Sequence, residues 1–182
     1  MSIYLRELER SDLPIINRWR ADRSLVRQLG SPFRHVGQEV DARWFEQYQA
    51  SRANNVRLAI CGDDAASPLG VVYLINIDWL NRHAEFAIQI GQAGVRRKGY
   101  GEEASRQILR HAFADLNLNR IHLTVLQENQ AAIGLYRKLG FVEEGVQRAA
   151  VFKDGHYANL MNMAILSSEW AAADDHLSKR ES

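Results

Sequence analysis

The stretch "GVRRKGYGEE", residues 94–103, is where the reading of this 182-residue chain turns. Three cations run into two glycines, and the glycines open what reads as a helix. Mutually repelling charges beside the most permissive backbone make sense around an anion. A helix start exposes up to four unpaired N–H groups and a partial positive charge of about half a unit. Gly99 and Gly101 would let the backbone approach a bulky phosphate, because no Cβ stands in the way. Arg96, Arg97 and Lys98 would add mobile donors around it, with Tyr100 inside the same turn. A strand, a Gly-rich loop and a helix form a recurrent phosphate-binding geometry. A solvated basic turn capped by glycine is the bland alternative.

Working outward, "HAEFAIQI" (83–90) is the strand before the loop, and the helix after it extends to about Leu116. Its apolar stripe, Ala104, Ile108, Leu109, Ala112, Phe113 and Leu116, has the 3.6-residue period. A strand "RIHLTVLQ" (120–127) and a helix "NQAAIGLYRKLG" (129–140) follow, the helix closed by Gly140. "AAVFKDGHYANLMNMAIL" reads as a hairpin turning at Asp154-Gly155. Toward the N-terminus, "IYLRELE" alternates as a strand, and Ser11, Asp12 and Pro14 start a helix to about Ala21. After a break at "GSPF" comes a helix near 38–52, carrying Val40, Trp44, Phe45 and Tyr48 at helical spacing. Two strands, "VRLAIC" and "LGVVYLINID", are separated by the turn-forming "GDDAASP". Strands and helices interleave as in a mixed α/β (α+β) sandwich, not a barrel or bundle. One domain is expected over residues 1–170, with a polar, frayed tail at 171–182.

Bulk composition supports this. Apolar residues at 46% and charged residues at 25% describe a globular domain with a sizeable core. A net charge of +1, from 23 basic and 22 acidic side chains, gives none of the basic excess of a nucleic-acid binder. The N-terminus lacks a signal-peptide core, and no apolar run reaches the ~18 residues of a membrane span. Cys61 is the single cysteine, so no intrachain disulfide forms; a reducing, cytoplasmic setting is expected, with Cys61 as a buried, inert thiol. The six histidines (35, 83, 111, 122, 156, 176) show no paired metal spacing, and no metal is expected. Two other phosphate motifs fail. The P-loop consensus is absent, and Gly99-x-Gly101 lacks the third glycine of a dinucleotide fingerprint, position 104 being Ala.

A second signal separates the two readings of the basic loop. "ENQAAIGLYRKLGF" (128–141) follows a strand, and together with "RxxGxG" at 96–101 it resembles the GNAT superfamily of acetyl-CoA-dependent N-acetyltransferases. The later motif supplies Asn129, Ala132, Tyr136, Gly140 and Phe141 at the family's spacing, and the likeness covers about residues 3–166. Within the superfamily, "INIDWLNRHAEFAIQIG" and "AAVFKDGHYANLMNMAILSSEW" are most similar to the ribosomal-protein, spermidine and amino-sugar N-acetyltransferase branch. The resemblance implies a mainly antiparallel central sheet with helices on both faces. It implies acetyl-CoA as co-substrate, its pyrophosphate on the 96–101 loop and its pantetheine beside Asn129 and Ala132. The backbone of Ile88, Gln89 and Ile90 would pair with the pantetheine amides and offer an oxyanion N–H. Tyr136 would be the proton donor to the leaving sulfur.

The chemistry has two proton problems. An amine with a pKa of about 10.4 must lose a proton before attack, which costs about 4.6 kcal/mol at pH 7. Glu85, on the strand before the loop, is the candidate base, through water, with Asp78 and His83 in reserve. A phenol near pKa 10 facing a thiolate near 8.5 transfers its proton uphill by about 2 kcal/mol, so Tyr136 is expected to act through a hydrogen bond. No covalent intermediate is needed, in keeping with the lack of a nucleophile beside a base.

The expected acceptor is a small-molecule or peptide amine. Residues 1–60 hold ten arginines against seven acids, which argues against a polycation. The rival reading is a coenzyme A-binding sensor without turnover; Tyr136 and Asn129 favour the enzyme. RNA binding through 96–98 lacks a second basic patch. Dimers are common in the family, so a homodimer is open, with "YANLMNMAIL" as its edge strand.

Overall fold

A computed structural model describes residues 2–62 and 67–170. Part of the "GDDAASP" turn and the whole 171–182 tail lie outside these residues. Seven strands form one sheet: β1 (Ile3–Glu7), β2 (Val56–Gly62), β3 (Gly70–Asp78), β4 (His83–Ile90), β5 (Arg120–Leu126), β6 (Val142–Lys153) and β7 (His156–Leu166). Their order is β1-β2-β3-β4-β5-β7-β6, and every pair is antiparallel except β4 with β5. That parallel pair needs a long crossover, supplied by the helix following the basic loop.

Among the described residues the two faces are covered by helices α1 (Leu13–Ala21), α2 (Arg23–Val26), α3 (Gln38–Ala50), α4 (Tyr100–Arg110) and α5 (Gln130–Lys138). The alternation of β3 divides the core. Val72 and Leu74 pack with Ala104, Ile108 and Leu109 of α4, whereas Val71 and Tyr73 join Trp19, Phe45 and Tyr48 of α1 and α3. Ile108 and Leu109 are fully buried, and truncating either to Ala would cost about 2–5 kcal/mol. Cys61 is buried and free, among the α1–α3 contacts.

The described chain departs from the sequence expectations at three places. The helix expected to run to Leu116 is regular only to Arg110, then widens into a π turn over His111–Asp115, with Leu116 N–H donating to His111 O at 3.0 Å. β6 begins at Val142, well before the expected hairpin, because register shifts at 143–145 and 147–151 break its alternation. The hairpin does turn at Asp154-Gly155, both in the left-handed region (φ 48° and 87°). β7 is not the edge expected of "YANLMNMAIL"; it lies between β5 and β6, and the edge belongs to β6.

Candidate active site

β4 and β5 pair only from His83–Glu85 to Arg120–His122. Beyond Glu85 they part, although β4 stays paired with β3 as far as Ile90. Those peptide groups of Phe86–Ile90 that point toward β5 are thus left without a strand partner. Between the strands is a cleft of about 1010 Å³, at the carboxyl ends of a parallel pair. β4 forms one wall, and Asn129, Ala132, Leu135 and Tyr136 of the α5 segment form the other. The loop from Ala93 to Gly99 and the start of α4 rim the mouth; Leu25 and the 28–31 loop overhang the far side.

The basic loop is fastened to the strand it follows. Arg96 donates from Nε to Ile90 O at 3.1 Å and from Nη2 to Gly91 O at 3.0 Å. Arg97 (φ 61°) and Gly99 (φ 86°) take left-handed backbone, which turns the chain into α4. The first intrahelical bond runs from Glu103 N–H to Gly99 O, so the N–H groups before it are free to meet an anion. Glu102, in that first turn, is drawn off by Lys138 at 2.6 Å and Arg106 at 3.2 Å, which hold its carboxyl below the usual carboxylate range.

Asn129 caps α5. Its Oδ1 accepts from Ala132 N–H at 3.2 Å, and its Nδ2 donates to Gln28 O at 3.1 Å. Tyr136, one helical turn and more beyond, packs edge-on to Phe86, centroids 6.0 Å apart. Only 8% of it is exposed, and burial pushes its hydroxyl up to about 12. Glu85 enters from the opposite wall, accepting from Asn76 Nδ2 at 3.2 Å. Tyr73, diagonal to Glu85 on β3, is raised to about 12 by burial and lies beside Arg57.

The structure brings Glu85, Ile88, Gln89 and Ile90 into one cleft with Arg96, Arg97, Gly99 and Gly101. Asn129, Ala132 and Tyr136 complete the wall. Lys98 is exposed and lies off the lining; Tyr100 packs partly buried against the core. Asp78 and His83 are not in the cleft but at its closed end, 3.7 Å apart. Sequence reasoning missed Tyr73, which the alternation of "VVYLI" could have put on the Glu85 face, and the 25–31 overhang, which no local signal marks.

Parted parallel strands, a helix start at the mouth and an open strand edge inside make a cleft for a long thioester with a phosphate-bearing end: the class is an acyl-CoA-dependent transferase. The sequence matches the acetyltransferase (GNAT) domain family over residues 2–142, and the chain belongs to that family. The spermidine N(1)-acetyltransferase of Vibrio cholerae is 33% identical over 167 residues, 91% of this chain and 94% of that one. That of Escherichia coli K12 is 30% identical over 172 residues, 94% of this chain and 89% of that one. A crystal structure of the Vibrio cholerae enzyme with CoA and spermine superposes with a TM-score of 0.84 at 30% identity, covering 93% of this chain and 98% of that one. The chain is an acetyl-CoA-dependent N-acetyltransferase that acts on a primary amine.

Proposed function

We propose direct transfer of the acetyl group from acetyl-CoA to a small primary amine, with Glu85 and Tyr136 as the acting side chains. The parting of β4 from β5 after Glu85 carries this reading, because it puts both groups on one cleft from opposite walls. Acetyl-CoA supplies the thioester; the helix start of α4 with Arg97 would hold its phosphates, and the open peptides of Phe86–Ile90 its amides. Glu85 takes the proton of the amine, directly or through one water. A backbone N–H of β4 receives the carbonyl oxygen as its charge grows. Tyr136 donates a hydrogen bond to the departing sulfur. With its hydroxyl near 12 and a thiol near 8.5, outright proton transfer would be uphill by about 5 kcal/mol, steeper than an exposed phenol would make it. The proton the sulfur finally takes comes from the acetylated ammonium by way of solvent.

The acceptor we infer is monocationic. Of the two carboxylates lining the cleft among the described residues, Glu102 is already paired with Lys138, leaving Glu85 alone to face a cation. Leu25, Leu29 and Val71 on that side are apolar and Gln28, Ser31 and Tyr73 beside them add no further carboxylate, and the overhang suits a small molecule better than a protein N-terminus. Spermidine is the second reading, favoured by the two relatives that act on it. A free-thiol release assay with monoamines, amino sugars, spermidine and N-terminal peptides separates them. The proposal expects kcat/KM for a monoamine at least about 10-fold above spermidine. The reverse order would establish the polyamine, and tight acetyl-CoA binding without release on any amine would establish a sensor.

A further inference from the structure

We propose that His122, with His83 behind it, carries the amine's proton from Glu85 out to the surface at Asp78. The inference rests on Glu85 as the base. His122 is the register partner of Glu85 across the parallel pair, so the two side chains stand side by side on one face where the strands begin to part. His83 follows, its ring centroid 5.6 Å from that of His122 and tilted by 60°, a gap that one water or a ring rotation spans. His83 Nδ1 is buried and has no hydrogen-bond partner among the described residues, while its Nε2 lies 3.7 Å from Asp78 Oδ2. Asp78 is anchored by Asn81, through N–H and Nδ2 at 2.8 Å each, and those bonds keep its carboxyl below the usual range. The row therefore runs from the cleft, through two imidazoles, to a fixed surface carboxylate.

The groups facing His122 are Glu85 and His83 of β4, Arg120 of its own strand and Glu144 of β6. Arg120 and Glu144 neutralise one another through bonds of 2.6 and 2.5 Å. Burial is the largest influence and lowers the pKa of His122, leaving it neutral and able to accept at neutral pH. The amine N–H bond breaks as the Glu85 O–H forms. That O–H then breaks as one nitrogen of His122 is protonated, and His122 releases a proton from its other nitrogen toward His83 Nδ1. From His83 it passes to solvent beside Asp78; no electrons change owner.

Thiol release by the full chain, measured at pH 7 with and without added imidazole, tests this. His122→Ala should lose about 10-fold in kcat with the KM for acetyl-CoA unchanged, and imidazole should restore the rate in proportion to its concentration. Wild type should not respond to imidazole. His83→Gln should show a smaller loss with the same response, and it stands in if His122→Ala fails to bind CoA. Wild-type rates in both variants, or losses that imidazole leaves untouched, would overturn the relay. Wild-type kcat in Glu85→Gln would instead overturn the base assignment itself, whereas an inactive Glu85→Gln beside an unaffected His122→Ala would sink the relay alone.

Discussion

The side-chain amide of Asn129 bridges the two halves of the cleft: its oxygen caps α5, and its nitrogen reaches the carbonyl of Gln28, 101 residues earlier. Capping and bridging are separable by substitution. Asn129→Asp keeps an acceptor for Ala132 N–H but sets a carboxylate against a carbonyl, so it should hold its melting temperature while raising the KM for the amine several-fold. Asn129→Ala loses the cap too, at about 1 kcal/mol. Thermal melts beside steady-state kinetics check both. Equal KM values in wild type and Asn129→Asp would show that the bridge does not shape the acceptor side.

Lys153 ties the hairpin to the same overhang. The residue is 8% exposed, and its ammonium donates to the carbonyls of Val26, Leu29 and Ser31, with 2.7 Å to Val26 and 3.0 Å to Ser31. Lys153→Met keeps the stem and orphans three acceptors. The expected loss is about 2–3 kcal/mol, seen as a fall of about 5–10 °C in melting temperature. A variant that melts with wild type would show that the carbonyls find water as readily as the ammonium.

Tyr136→Phe should lower kcat by about 10–100-fold and leave acetyl-CoA affinity within a factor of about 3, the loss of one hydrogen bond to a developing charge. Because burial holds the hydroxyl near 12, it stays protonated across the working range. No alkaline fall in wild-type kcat below about pH 11 should trace to it. An alkaline limb present in wild type and absent from Tyr136→Phe would contradict that environment.

What the sequence showed and hid follows from how far apart the partners lie. Asn129 to Phe141 was legible because a cap, a helix face and a left-handed Gly140 (φ 97°) sit within one short segment. The helix start at Gly99–Tyr100 was legible for the same reason. Arg96 was read as a phosphate donor from its charge; that its Nε and Nη2 also hold the carbonyls of Ile90 and Gly91 follows from the path of the loop and had no local signal. The overhang at 25–31 was invisible because Lys153 and Asn129, more than 100 residues away, hold it. β6 was half seen, since its two bulges erase the alternation that marks a strand.

Gly91, the residue after β4, packs directly against the indole of Trp19. A Cβ there would fall 1.9 Å from the indole, with no flexible tip to yield, and Trp19 is itself buried. Gly91→Ala should therefore cost about 1–3 kcal/mol by overpacking. Trp19→Leu in the same chain should recover part of the loss, which denaturant melts of the two single variants and the double would reveal. Additive losses would mean that the strand end, not the ring, resists the methyl.

Glu102 gives the stability a pH signature. Lys138 first, then Arg106, lowers its folded-state pKa below the ordinary value near 4.5. A depressed carboxyl contributes stability that is fully present above its unfolded pKa and is lost as pH falls through the folded one. The gap in melting temperature between wild type and Glu102→Gln should thus favour wild type at pH 7, by the modest ~0.5–1 kcal/mol of a partly exposed pair, and shrink progressively as pH falls below the ordinary carboxylate value. Lys138→Met should show the same closing gap. A difference that persists unchanged at pH 3 would assign the role of Glu102 to packing at the start of α4 rather than to its charge.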